Sequence, residues 1–194
     1  MTRNPPRVDP VLIAALREDL RTSDFTVAGV LDLLGPMAAA ALDREQALPA
    51  RRVTAGSAVP CATLIRLFTL GDPVDAAEAE RALPTLGVEG AVSLGLLALE
   101  GDGVVALCDL RPYAGDDLDW WVASDLDELA PRRPVREDHV LGIGGASTTL
   151  AAWTPRPPVA RALDLGTGCG VQALHLAQHA DHVVVTDLSE RALA

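Results

Sequence analysis

Lysine is missing from these 194 residues, so all 16 basic side chains are arginines. An absence so even along the chain reflects genomic composition rather than a function. Positive charge as a whole is short: 27 acids leave a formal net charge of −11. Non-specific binding of nucleic acid by this part is therefore disfavoured. The acids gather between Glu100 and Glu128, with Arg111 the one base among them, and a solvated acidic face is the simpler reading than a dock for a basic partner. Cysteine is scarce too. Cys61, Cys108 and Cys169 are odd in number and widely spaced, which fits neither a disulfide framework nor a metal site. A reducing cytoplasm is the simplest location. The polar start of the chain, Met1 to Pro10, has no apolar core of a signal peptide. No run approaches the length of a membrane span. What remains is 49% apolar, enough for a core in one or two domains.

The chain is organised around the run from Ala160 to Val171. Ala160 to Leu165 is a short apolar run with one acid near its end, as expected of a parallel strand buried on both faces. Gly166, Gly168 and Gly170 follow at alternate positions, where the backbone turns tightly and can approach a ligand closely. From Val171 the pattern becomes helical, and His182 to Thr186 makes a second strand that ends in Asp187. Strand, glycine turn, helix, strand and acid make the first unit of a doubly wound α/β sheet. A dinucleotide fingerprint would place the third glycine three residues after the second; here it falls two after. Asp164, two residues ahead of the first glycine, would repel a pyrophosphate but accept hydrogen bonds from a cationic amino group. Asp187 stands where an acid can accept from ribose hydroxyls. A ligand with an amino-acid end and a ribose fits both carboxylates, and S-adenosylmethionine is such a ligand. A tight strand-to-helix turn with no ligand is the alternative.

The segment Asp164-Leu165-Gly166-Thr167-Gly168-Cys169-Gly170 resembles motif I of the class I SAM-dependent methyltransferases, in the wording of the small-methyltransferase group. Asp187 resembles the acid ending their second strand, and Thr154-Pro155-Arg156-Pro157 is similar to the Pro-Arg-Pro segment ahead of motif I in glutamine methyltransferases. The likeness covers roughly the last forty residues. It implies a Rossmann-like fold with S-adenosylmethionine held by Asp164, Gly166, Thr167, Gly168, Gly170, Asp187 and Leu188. Asp164 would orient the methionine amino group, Gly166 and Gly168 would admit the cofactor, and Asp187 would hold the ribose. It implies methyl transfer to a nitrogen of a ribosomal RNA or DNA base or of a protein glutamine. The group's Asn-Pro-Pro-Tyr-like motif, which holds that nitrogen, has no counterpart here. The catalytic residues are accordingly unknown. The chain is expected to be the N-terminal portion of a longer enzyme, binding the cofactor weakly and not turning over. Its open strand edge would need cover from the N-terminal domain or another copy.

Ahead of this lies a mostly helical N-terminal domain, residues 1–126. Asp9 caps a helix begun by Pro10 and ending near Arg21. Ser23 or Asp24 could cap a second, broken at Gly35-Pro36, with an alanine-rich third from Met37 to Ala47. Thr54 to Ser57 is loop. Pro60 starts a fourth helix closed by Gly71, Asp75 caps a fifth to Leu83, and Leu86 to Leu97 forms a weaker one. Glu100-Gly101-Asp102-Gly103 is a turn between two β-capable runs, with a further strand from Asp119 to Ala123. Helices followed by such a hairpin resemble a winged helix. This one lacks a basic recognition face, so packing against the methyltransferase core and shaping its entrance are its expected roles. A non-catalytic module that binds a substrate or partner is the rival reading of the chain.

Residues 127–152 are expected to be a linker and a possible cofactor flap, and 153–194 the start of the SAM-binding domain. The cluster Arg132, Arg133 and Arg136 is expected in a solvated linker, with contact to phosphate or to the acidic patch as the alternative, and His139 is expected in the same linker. The glycines and hydroxyls of Val140 to Leu150 suit either a flap or a plain connecting turn. His175 and His179, one helical turn apart with His182 behind, lack the Glu and Cys of a zinc site and suit a solvent-facing helix edge; no metal is expected. Trp120 and Trp121 should face opposite sides of a strand. Trp153 is expected to fasten the linker to the core. Cys169, inside the glycine turn, suits a small residue lining the cofactor pocket better than a nucleophile.

Overall fold

The computed structural model describes residues 5–115, 118–126 and 138–194. The fold is mixed α/β, in two units. One contains the residues up to Trp121, and the other joins Val122–Asp125 to the chain from residue 138 onward. The basic cluster Arg132, Arg133 and Arg136 lies outside the described residues.

In the first unit, helix α1 (Pro10–Thr22) starts as its sequence dictates. Asp9 accepts hydrogen bonds from the N–H groups of Val11 and Leu12 at 2.9 and 3.1 Å, and Pro10 occupies the first turn, where its missing N–H costs nothing. Helix α2 (Val27–Leu42) is capped by Thr26, whose Oγ1 accepts from Gly29 N at 3.0 Å. That corrects the expectation of Ser23 or Asp24: both precede the break, and Asp24 itself sits at φ 55°. Gly35 does interrupt this helix, with φ 70° and ψ 165°. The chain resumes through Pro36 only as far as Leu42, and a separate helix α3 (Ala47–Thr54) follows where no element was expected.

Helix α4 (Pro60–Leu64) runs into a π-helical turn, Ile65–Thr69, and this rod is the centre of the unit. Leu64, Ile65, Leu67, Phe68 and Leu70 are fully buried there, so its apolar residues point inward all round. A two-residue strand β1 (Val74–Asp75), helices α5 (Ala76–Ala82) and α6 (Gly87–Ser93), and the hairpin β2 (Leu97–Glu100) and β3 (Gly103–Ala106) complete the arrangement. The sheet order is β1-β3-β2, antiparallel throughout. Gly103 is required there, because a Cβ would stand 2.7 Å from the Val74 carbonyl oxygen. Asp19 is almost fully buried on α1 and accepts from Thr85 N (2.9 and 3.1 Å) and Leu86 N (2.8 Å), which ties α1 to the turn ahead of α6.

Strands β4 (Asp109–Gly115) and β5 (Leu118–Ser124) pair as a second small sheet. The tryptophans face apart as alternation requires: Trp120 stacks on Tyr113 with centroids 6.1 Å apart, while the Trp121 indole donates to Phe25 O at 2.7 Å.

The second unit centres on β6 (Val159–Leu165), helix α8 (Val171–Leu176) and β7 (Ala180–Thr186). The strands are parallel and in register from Val159↔Ala180 to Leu165↔Thr186, so the helix is the crossover that a parallel pair needs. Helix α7 (Gly145–Trp153) precedes them, so the segment expected to be a flap or turn carries a helix. Burial departs from expectation. Of β6 only Asp164 is buried, and Leu163 and Leu165 are 60% and 82% exposed, since two strands alone cannot cover both faces. Trp153 is 82% exposed, so it does not fasten the chain to a core. His175 is buried rather than solvent-facing, because its side of α8 turns inward with Val171.

No single helix among the described residues is long and apolar enough to cross a membrane; one bent pair, α1 with α2, passes by length and composition together. Cys61, Cys108 and Cys169 form no disulfide.

Candidate ligand-binding cleft

The turn after β6 is built from three left-handed glycines, Gly166, Gly168 and Gly170 at φ 76°, 53° and 80°. A side chain at any of them would sit in a conformation that L-residues avoid, and this explains the alternate-glycine spacing. The N–H groups of Gly166 and Thr167 both donate to Thr186 O, at 2.8 and 2.9 Å, and fasten the turn to the end of β7. The two acids sit at the carboxyl ends of adjacent parallel strands. That end is where ligands of open α/β sheets bind.

The buried Asp164 carboxylate accepts from Thr167 Oγ1 at 2.7 Å. Asp187 accepts from Gly168 N through Oδ2 at 2.9 Å and from Ser189 N through Oδ1 at 2.8 Å. These N–H donors, Ser189 first and Gly168 next, hold its carboxyl below the ordinary carboxylate range. Each Asp187 oxygen keeps a lone pair for another donor.

A cleft of about 410 Å³ opens on these groups, within the range of small-molecule sites. Asp164, Gly166, Thr167, Gly168 and Asp187, five of the residues singled out from sequence, line it together. Two do not. Gly170 caps α8 from outside the lining, its N–H donating to Thr167 O at 2.9 Å, and the Leu188 side chain points fully into solvent. Cys169 does line the cleft. Burial pushes its thiol up, the N–H groups of Val171 and Cys169 pull the other way, and the Asp164 charge adds to the rise. That thiol suits a wall, not a nucleophile.

The other walls come from residues 139–150, most of them in the Val140 to Leu150 stretch whose sequence suits either a flap or a plain turn. Helix α7 contributes Ala146, Ser147 and Leu150, and is tied to α8 by Gln172 Nε2 donating to Ser147 O at 2.8 Å. His139 to Gly142 form a further wall, so His139 is a cleft residue rather than a piece of linker. That wall hangs on Asp125, whose N–H donates to Val140 O at 3.1 Å and whose Oδ2 accepts from Val140 N at 2.9 Å. Arg191 forks onto the same carboxylate at 2.6 and 2.7 Å. Burial works to raise the Asp125 carboxyl, but the Arg191 guanidinium and the Val140 N–H outweigh it, and the net direction is down. No local signal marks these residues: Asp125 and Arg191 are 66 positions apart. Among the described residues no cluster of His, Cys, Asp and Glu is arranged to hold a metal ion.

A family described as Domain of unknown function (DUF7059) matches residues 22–107, which lie within the first unit and do not reach the cleft. No curated protein matches the chain.

Proposed function

We propose that the second unit binds S-adenosylmethionine, and that the protein transfers the methyl group to a nitrogen. One observation carries the reading: two carboxylates, Asp164 and Asp187, end adjacent parallel strands and open on one cleft across a glycine turn. The donor set suits the ligand. The buried Asp164 carboxylate, beside the Thr167 hydroxyl, is a receptor for an ammonium group. Asp187 keeps acceptor capacity for a pair of ribose hydroxyls while its backbone donors hold it ionised. The cofactor, when bound, supplies a methyl group on a sulfonium, which is already an activated leaving group. The protein's share is therefore positioning and electrostatics: the turn fixes both carboxylates, and α7 with the His139–Gly142 wall encloses the ligand. A pyrophosphate would meet the Asp164 charge, which weighs against a dinucleotide.

The sequence likeness to motif I makes the acceptor a ribosomal RNA or DNA base or a protein glutamine. In the first unit, the helix order and the β1-β3-β2 sheet support a winged-helix reading. Its α6 carries Glu89 and no base, and the hairpin turn carries Glu100 and Asp102. Such a face would repel a phosphate backbone, so a role in packing or protein recognition is favoured over reading nucleic acid.

Calorimetric titration with S-adenosylmethionine tests the reading. The chain should bind it, and Asp164→Asn and Asp187→Asn should each weaken binding at least about tenfold, as expected for loss of a charge-assisted hydrogen bond. Absence of binding by the unaltered chain, or full binding by both variants, would overturn it.

A further inference from the structure

Neither Asp125 nor Arg191 lines the cleft, yet together they hold one of its walls. Arg191 lies in the short 3-10 turn Glu190–Leu193, four positions beyond Asp187. Its guanidinium places Nη1 2.6 Å from Asp125 Oδ2 and Nη2 2.7 Å from Oδ1, a fork on a carboxylate that no other cationic side chain can match. Nη1 also donates to the Asp138 carbonyl at 3.1 Å, and Ser189 Oγ reaches the same oxygen at 3.4 Å. Asp125 in turn holds Val140 through both backbone and side chain. His139, between these anchors, has Nδ1 3.7 Å from Asp125 Oδ2 and faces the cleft. The pair is shielded, with both side chains about one-sixth exposed, at 17% and 16%. It is thus screened less than an open surface pair.

The connectivity has a direction. Asp187 Oδ1 fixes Ser189 N, the following turn presents Arg191, and Arg191 grips both Asp125 and the carbonyl just ahead of the wall. The residue expected to hold the ribose and the wall facing it are therefore set apart by one chain of hydrogen bonds. We propose that Arg191, acting through Asp125, is a positioning residue: it sets the His139–Gly142 wall against Asp187, so that an adenosyl ligand meets a preformed slot. This rests on the reading of the cleft as an S-adenosylmethionine site. Preorganisation of this kind acts on affinity by removing the cost of ordering the wall on binding. A lysine would keep the charge but lose the fork and one of its two ends.

The probe is S-adenosylhomocysteine, titrated calorimetrically into the full chain, its Arg191→Lys, Arg191→Ala and Asp125→Asn variants, and the double variant Arg191→Ala/Asp125→Asn. Amide exchange at Val140 is followed in parallel. Arg191→Ala and Asp125→Asn should each weaken binding about tenfold with unchanged circular dichroism, and the double variant should be no weaker than either alone. Arg191→Lys should recover only part of the loss. Val140 should exchange faster in each. Equal affinities across the set, or losses that simply add, overturn the proposal. If the unaltered chain does not bind the probe, the cofactor reading fails by itself. The positioning role is then decided by Val140: faster exchange in Arg191→Ala upholds it, and unchanged exchange refutes it.

Discussion

Asp19 offers the sharpest test of how the first unit is held together. It is 1% exposed and receives two backbone donors from a turn 66 and 67 positions away, Thr85 N and Leu86 N. Asp19→Ala strands both. Leu86 is buried, and an unsatisfied donor there costs about 1–3 kcal/mol. Thr85 is exposed, so water can take over its N–H, and the loss is about 0.5–1.5 kcal/mol. The better helix propensity of alanine returns roughly 0.5 kcal/mol. The net is a destabilisation of about 1–4 kcal/mol, which for a chain of this size lowers Tm by about 2–16 °C. Asp19→Asn keeps one acceptor oxygen and should lose about half as much. Urea unfolding followed by tryptophan fluorescence measures it, since Trp120 and Trp121 belong to the same unit. An Asp19→Ala midpoint equivalent to less than about 0.5 kcal/mol, or an Asn variant worse than the Ala one, would refute the reasoning.

Gly103→Ala should destabilise the β1–β3 pairing, because the new Cβ meets backbone 2.7 Å away that cannot rotate aside; thermal unfolding should show a loss of about 1–3 kcal/mol. Burial, with the Asp24 charge, pushes the Cys61 thiol up to about 11, so at pH 8 alkylation should be slow in the native chain and become fast in urea, as mass spectrometry would show. The Asp125 carboxyl is held below its ordinary value, so its pairing contributes stability that is present above about pH 4 and lost as pH falls through the lowered value. Amide protection of β6 and β7 should persist to below about pH 4, and Arg191→Ala should lose it at higher pH; an unchanged acid midpoint would contradict the pairing.

Local signals in the sequence carried the parts of the fold that local physics decides. Asp9-Pro10 announces α1, Glu100-Gly101-Asp102-Gly103 announces the hairpin, and three alternate glycines between two apolar runs announce the parallel pair and the cleft floor. Helix α3 escaped because Ala47–Thr54 contains Pro49 and two arginines and shows no apolar run. Strand β1 is two residues long and exists only through its pairing with β3. Misjudged burial has two causes: Leu163 and Trp153 are expected against a large covered sheet, whereas the parallel sheet described here has two strands, and His175 is expected on the outer edge of α8, whereas its side turns inward with Val171. Asp164 and Asp187 were legible because the turn brings them together locally. The Asp125–Arg191 pair and the His139 wall were not, since only tertiary structure joins positions that far apart.

The central claim is that Asp164 and Asp187 form one site for an adenosyl amino acid. It is tested most directly by mapping amide chemical-shift changes of the full isotope-labelled chain on titration with S-adenosylhomocysteine and, separately, with NAD. The account predicts that S-adenosylhomocysteine moves the amides of Gly166, Gly168, Leu188 and Ser189 and leaves those of α4 and β3 in place, while NAD moves none of them. Shifts confined to the first unit, or a response of the glycine turn to NAD but not to S-adenosylhomocysteine, would contradict it.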